Sequence, residues 1–303
     1  MLNAVKKTLN NYLPLSLGDK IGCGAFFVAA LLALADIRLA AIPLTGFVIL
    51  CLIAPFLQHV SFFLPVVSRG SSGQAAVALT FDDGPDPLTT PEILRLLKKH
   101  GARGTFFVNG RKAGDYPQLI NDILSDGHCV ANHSFNHDVF MAFKDKQTVM
   151  SDIDAVQNVL CKHGIVPLAF RPPAGITGPR LQSILRTKGM FTVNFSCRAR
   201  DGGNRWLRHL SKKILRRIKP DDIVLLHDIP PQSDPLLSFW VEEVDRILDG
   251  IRMKGLVVLP LAELIGRPVM KMIVEAEMEG AVPQVQKENL EPVSEIRKGG
   301  ISG

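Results

Sequence analysis

Between residues 76 and 259 short apolar runs alternate with longer amphipathic segments, and this alternation constrains the fold more than any other feature. The strand-like runs are 76–80, 104–108, 128–131, 168–170, 191–195, 222–226 and 256–259. Helix-like segments at 91–100, 116–126, 148–163, 179–188 and 236–253 lie between them. Thr90 before Pro91 is a helix start with proline in the first turn. Strands separated by helix-length connections pair in parallel, because a parallel crossover needs room to return to the same sheet edge. The expected fold class is α/β, a distorted (β/α) barrel of about seven strands over residues 76–265. Its polar residues fall repeatedly just after a strand, where a barrel carries its catalytic rim.

Two of those strand ends carry a metal-like donor set. Thr80-Phe81-Asp82-Asp83-Gly84-Pro85 places adjacent carboxylates after the first run, and Asn132-His133-Ser134-Phe135-Asn136-His137 follows the third. The two imidazoles are four residues apart, so one helical turn would turn both to one side. Alone, an Asp-Asp pair reads as a solvated loop or cap, and a His pair as surface. Together they offer one Asp and two His with a second Asp alongside. Three protein ligands and an open position form the catalytic arrangement of zinc-like ions, so the expected chemistry is hydrolysis by an activated water. Cys129, beside His128, reads as strand packing. Arg171 on the stiff turn Pro172-Pro173-Ala174-Gly175, His227 after Leu225-Leu226, and Asp201 after the 191–195 run extend the site.

With these motifs in this order, residues 75 to 265 resemble the NodB-homology polysaccharide deacetylases, carbohydrate esterase family 4. The resemblance implies Asp82 as general base, His227 as general acid, Asp201 as the residue that orients His227, and Arg171 as the clamp on the carboxylates. It implies Asp83, His133 and His137 as ligands of a divalent transition metal, zinc foremost, with cobalt, nickel or manganese as alternatives. Pro172, Pro173, Ala174, Gly175 and Leu225 would line the substrate site, the backbone after Pro173 helping to bind the oxyanion. Two departures stand out. Ala174 replaces an aromatic residue common in the family. Arg198-Ala199-Arg200-Asp201-Gly202 keeps the second Asp of a common Asp-x-x-Asp-Trp motif but loses the first Asp and the Trp. The implied activity is removal of an N-acetyl or other N-acyl group from an amino sugar of a polysaccharide, glycolipid or lipid-linked saccharide. The alternatives are an N-deformylase or other linear-amide hydrolase, and a non-catalytic carbohydrate-binding protein on the same fold.

The flanks read differently. The chain is 47% hydrophobic with mean hydropathy +0.17, and the excess lies near the N-terminus. Residues 21–35 and 39–57 carry no charge, and Asp36 and Arg38 separate them. The second stretch is about a bilayer in length and the first is shorter. Residues 1–67 are therefore expected to be a membrane anchor, a transmembrane helical hairpin turning at Asp36-Ile37-Arg38. Rival readings are a signal peptide cleaved near Ala33-Leu34-Ala35 and buried helices of a globular domain. Lys6, Lys7 and Lys20 before the hairpin and Arg69 after it lean the catalytic domain toward the cytoplasmic side of a cell (inner) membrane as a multi-pass protein, with the extracytoplasmic face left open. Residues 68–75 read as a linker and 266–303 as a flexible tail. The five cysteines show no pairing pattern, so no disulfide framework is expected.

Residues 205–219 hold seven Lys or Arg and no acid, with Leu207, Leu210, Ile214 and Ile218 on one helical face. They read either as a barrel helix with a solvated basic side or as a contact for anionic lipid headgroups. A pI near 9.1 raises nucleic acid as a partner, but no nucleic-acid motif accompanies it and none is expected.

Overall fold

A computed structural model describes residues 15–273 of the chain. Lys6, Lys7 and the expected tail from residue 274 onward lie outside the described residues. Two helices open the chain, α1 (Leu17–Ala33) and α2 (Ala41–Ile53). The sheet strands are β1 (Val66–Val67), β2 (Ala76–Asp82), β3 (Gly104–Val108), β4 (Cys129–Asn132), β5 (Ile165–Pro167), β6 (Ala169–Phe170), β7 (Phe191–Val193), β8 (Cys197–Arg198), β9 (Ile223–His227), β10 (Val257–Val258) and β11 (Met270–Met272). The helices α3 (Thr90–Lys99), α4 (Gly110–Asp115), α5 (Pro117–Ser125), α6 (Lys146–Cys161), α7 (Pro179–Thr187), α8 (Leu210–Leu215), α9 (Asp234–Met253) and α10 (Leu261–Leu264) connect them.

The main sheet is parallel, in the order β1-β7-β6-β4-β3-β2-β9-β8, and β10 pairs with the start of β2. It is a curled half-barrel of nine strands, not the barrel of about seven that the sequence suggested. Among the described residues no strand ladder joins β1 to β8; one isolated bridge, Arg69 to Asp222, spans that side. The additional strands β1 and β8 are two residues each, too short to leave a pattern. Val269 and β11 also pair back, β11 running antiparallel to β5.

No helix among the described residues is long and apolar enough to cross a membrane, which overturns the expected transmembrane hairpin and the multi-pass placement drawn from it. The apolar stretch is cut by the turn after Ala33. At 1.5 Å per residue, α1 and α2 extend roughly 26 and 20 Å, against a hydrocarbon core of about 30 Å. Instead the pair packs on itself and on the chain that follows. Gly18 N–H donates to Phe62 O at 2.9 Å, and the Phe62 and Phe47 rings leave no room for side chains at Gly18 and Gly22. The basic segment is also not the long amphipathic helix expected. Only Leu210–Leu215 is helical, and Leu207, Leu210, Ile214 and Ile218 are buried in the core, which removes the apolar face proposed for lipid contact.

The strand period of two sorts the core and the chemistry at once. Val77, Leu79 and Phe81 of β2 and Val224 and Leu226 of β9 face the cluster shared with α3 and α9. Ala76, Ala78, Phe107, Ala131 and Leu225 face the inner side of the curl. Thr80 and Asp82 have that inner parity on β2, His227 has it on β9, and His133 has it just past β4. Small alanines at the base of the inner face and polar residues at its C-terminal rim are what make a shallow site there.

Candidate active site

Register brings the rim together. Asp82 pairs with His227 across β2–β9 and with Phe107 across β2–β3. Arg171 N–H bonds to Asn132 O, setting the end of β6 beside the end of β4. Arg171 is fully buried. Its Nη1 donates to Asp82 Oδ1 at 2.6 Å and to Thr80 Oγ1 at 2.8 Å, and its other nitrogens donate to Val193 O and Asn194 O. The guanidinium also lies 3.9 Å from the centroid of the Phe107 ring. A buried charge satisfied this fully fixes the orientation of Asp82, whose Oδ2 is left 3.7 Å from His133 Nε2.

Asp83, His133 and His137 converge, each offering one ligand atom within 4.8 Å of the others. His133 Nε2 and His137 Nε2 lie 3.3 and 2.8 Å from Asp83 Oδ1. That oxygen is buried and accepts no well-aligned hydrogen bond, so the three groups aim at a common point and not at one another. His133 Nδ1–H donates to Arg171 O at 2.7 Å, which fixes the tautomer with Nε2 free as a ligand. This donor set fits a divalent ion. Burial would raise the Asp83 carboxyl, but the two imidazoles hold it well below the usual carboxylate range.

His133 and His137 do not meet through a helical turn, as the spacing suggested. They meet through a tight loop in which Ser134 and His137 have φ of 67° and 53°. His137 N–H donates to Ser134 Oγ, and Ser134 N–H to Asn132 Oδ1. Asp152 of α6 clamps the loop from outside, accepting from the backbone of Phe135 and Asn136 and from the Asn136 amide. Asp83 has φ 73°, and the turn after it is braced by Asp228. Thr89 and Thr90 hydroxyls donate to the Asp228 carboxyl at 2.7 and 2.6 Å, and a Cβ at Gly84 would stand 2.1 Å from Asp228 Oδ2. Burial pushes the Asp228 carboxyl up to about 7 despite those donors.

Across the cleft, His227 Nδ1–H donates to Asp201 Oδ2 at 2.9 Å. Burial disfavours the imidazolium, but the Asp201 hydrogen bond and charge outweigh it, with Asp83 and Asp82 adding to the pull, and the imidazole is lifted to about 9. Asn204, with φ 60°, locks this corner. Its Nδ2 donates to His227 O and Ile229 O, and its N–H to Asp201 Oδ2.

A cavity of about 470 Å³ joins Asp82, Asp83, His133, His137, Asp201 and His227, with Ala174, Gly175 and Leu225 in its wall. Pro172 and Pro173 are buried and set the turn that carries Ala174, whose φ is 54°. Gln58 Nε2 donates to Ala174 O at 2.6 Å, and Asn194 Nδ2 to Gln58 O and Gly175 O. Phe195 and Val139 add apolar wall. Although Gly202 stands where the family pattern has Trp, the exposed Trp206 lies beside it: a Cβ at Gly202 would be 3.1 Å from that indole. The supporting residues Asp152, Asn204, Asn194 and Gln58 left no signal in the sequence beyond the turn-forming Gly202-Gly203-Asn204. A second His/Asp grouping, His100 with Asp245 and Asp249, is occupied otherwise: Lys99 Nζ donates to both Asp245 oxygens and Arg252 to Asp249.

Residues 69–193 match the polysaccharide deacetylase family model. The chain is 31% identical over 209 residues to a chitooligosaccharide deacetylase of Sinorhizobium fredii, covering 66% of this chain and 97% of that protein. It is 31% identical over 196 residues to a peptidoglycan-N-acetylglucosamine deacetylase of Bacillus cereus, covering 64% and 90%. Among solved structures, a peptidoglycan N-acetylglucosamine deacetylase superposes with a TM-score of 0.61 at 27% identity, covering 67% of this chain and 94% of that one. By that coverage and identity the chain belongs to the polysaccharide deacetylase family, carbohydrate esterase family 4.

Proposed function

We propose that this protein hydrolyses the N-acetyl amide of an amino sugar in a polysaccharide, using Asp82 as base and His227 as acid. It is a sugar N-deacetylase acting on a linear C–N amide bond, as its relatives are, and its Asp83, His133 and His137 make it metal-dependent. The observation that carries the assignment of roles is the convergence of a three-ligand set, a clamped carboxylate and an Asp-paired imidazole on one cavity.

Asp83, His133 and His137 would hold the ion, with zinc the best fit to one carboxylate and two imidazoles. When bound, such an ion lowers the pKa of water to about 7 and polarises the amide carbonyl. Asp82, held by Arg171, presents Oδ2 to the attacking water and accepts its proton. The backbone N–H after Pro173 would help bind the developing oxyanion from the Ala174 turn. His227 is kept protonated by Asp201 and delivers the proton that the leaving nitrogen needs, because an amide anion is too basic to leave. Phe195, Val139 and Leu225 form the apolar part of the wall.

Acetate release from tetra-N-acetylchitotetraose by the metal-loaded chain tests the reading. Asp82→Asn should abolish release while metal stoichiometry stays at the wild-type value. Undiminished release from Asp82→Asn would remove Asp82 from its role. No release by the wild-type chain on any N-acetylated glycan, with metal bound, would refute the activity.

A further inference from the structure

The cleft carries three guanidinium groups that the deacetylation chemistry does not use. Arg198, Arg200 and Arg205 line the same cavity as the metal ligands and the acid–base pair. None of the carboxylates there pairs with these arginines: Asp82 is held by Arg171, Asp83 lies against the two imidazoles as a candidate ligand, and Asp201 is held by His227 and Asn204. Among the described residues, none of the three arginines has a side-chain hydrogen bond or ion pair. The one contact shown is Arg198 against the Phe195 ring, 5.1 Å from its centroid. Arg198 ends β8, where the family pattern has an acid, and is half-buried. Desolvation and the neighbouring Arg200 both work against its charge, with Asp201 only a partial counterweight. Arg200 and Arg205 are exposed, while the half-buried Arg198 meets a like charge that a bound anion would compensate.

We propose that Arg198, Arg200 and Arg205 form an anion subsite, and that the substrate is an N-acetylated amino sugar bearing a carboxylate or phosphate within reach of the reacting acetamido group. The inference rests on the deacetylase reading and names its substrate class. Guanidinium suits either anion, because its planar fork donates two parallel hydrogen bonds to a pair of oxygens. Arg200 and Arg205 lie on the loop after β8. Arg200, Gly202, Gly203 and Asn204 all have positive φ, and Asn204 pins the loop to the end of β9.

The test compares a neutral substrate, tetra-N-acetylchitotetraose, with a carboxylate-bearing N-acetylglucosamine–N-acetylmuramic acid disaccharide and with N-acetylglucosamine 1-phosphate. The metal-loaded full chain is used throughout. At least one anionic substrate should show kcat/KM roughly tenfold or more above the neutral one, and which one does identifies the anion. In Arg198→Gln/Arg200→Gln the preference should fall by about the same factor, through KM, and in wild type it should shrink with added salt. Arg208→Gln, on the same segment but outside the cavity, should keep the preference. A neutral substrate equal to or better than both anions, or a preference that survives in the double variant, overturns the subsite; the second result would also expose direct chelation of the metal by the anion. Calorimetric binding of the same sugars to Asp82→Asn reads the subsite without turnover. A loss of acetate release on every substrate with the binding preference intact would sink the deacetylase reading and not the subsite. Equal binding of charged and neutral sugars would sink the subsite itself.

Discussion

Asp201→Asn should move the alkaline limb of activity to lower pH. Asp201 is the main influence lifting His227 from its ordinary value to about 9, and the imidazole is largely enclosed. Moving an imidazole from about 6.5 to about 9 corresponds to roughly 3 kcal/mol of preference for the charged form. Asparagine keeps an oxygen able to accept from Nδ1–H, so the ring stays oriented, but its charge is gone and burial is opposed only by the more distant carboxylates. With the variant imidazole at about 6.5 or below, the acid form at pH 8 falls from ~90% to ~3%, a loss of roughly 30-fold in kcat/KM. At pH 6 the same arithmetic gives a loss below about twofold, and above pH 9 it saturates near ~300-fold. A bound dication would offset the pull of Asp82 and Asp83, placing the native falling limb somewhat below 9 without changing the sign. The assay is the pH profile of kcat/KM for acetate release from pH 5.5 to 9.5. A loss of the same size at every pH would refute the electrostatic argument and leave Asp201 with orientation alone. The pairing also bears on folding. The folded-state value lies above the unfolded one, so this contribution to stability is fully present below about pH 6.5 and is lost as pH rises through about 9. Asp201→Asn should therefore lower the melting temperature more at pH 6 than at pH 9.5.

Arg171→Met leaves Asp82 buried without its partner and should cost about 3–5 kcal/mol in denaturant unfolding; a loss under about 1 kcal/mol would show that the pair does not hold the inner face together. Gly84→Ala puts a methyl group against Asp228 where 2.1 Å is available, and overpacking of that kind costs about 1–3 kcal/mol. The turn that carries Asp83 should shift with it, so metal affinity should drop as well; unchanged unfolding and metal titrations would place the constraint elsewhere. Asp152→Ala removes three acceptor contacts from the loop that presents His137 and should weaken metal binding roughly 10–100-fold in a chelator competition, with little change in melting temperature. Wild-type affinity in that variant would mean the loop holds its shape unaided.

The parts of this site that could be read in the sequence are those that lie on regular elements or immediately after them. The run Ala76–Asp82 alternates side chains with a period of two, so the placement of Asp82 on the rim follows from the strand itself. The same holds for His227 at the end of β9. His133 and His137 were legible as a pair, but their helical spacing was coincidental: left-handed residues at 134 and 137 bring the rings together, and no periodicity reports such a loop. The sheet count failed where strands are two residues long, since β1 and β8 exist only because their neighbours offer a free edge. The membrane reading failed for a related reason. The second apolar stretch is about bilayer-length as residues 39–57 but helical only over Ala41–Ile53, and α1 and α2 are short helices that pack on each other and on Phe62.

The segment that looked most detachable turns out to touch the chemistry. Pro55 O accepts from Thr177 N–H, Gln58 holds both the Ala174 carbonyl and the Asn194 amide, and β1 extends the sheet beside β7. These contacts hold the two ends of the turn at 172–177 from outside. That turn has a left-handed alanine at its centre, a conformation of order 1–3 kcal/mol above an ordinary one unless its surroundings impose it. The catalytic motifs alone do not impose it: Arg171 anchors the start of the turn, while the carbonyls of Ala174 and Gly175 are held by Gln58 and Asn194. Residues 55–67 are therefore part of how this chain shapes the Ala174 wall of its cleft, and the arginines line the same cavity. The reacting centre between them follows the family pattern, while the two walls carry this chain's own departures, Ala174 on one and Arg198 on the other. Register fixes Asp82 and His227 on strand ends, whereas His137, Asp201 and the Ala174 turn sit on loops held by side-chain hydrogen bonds.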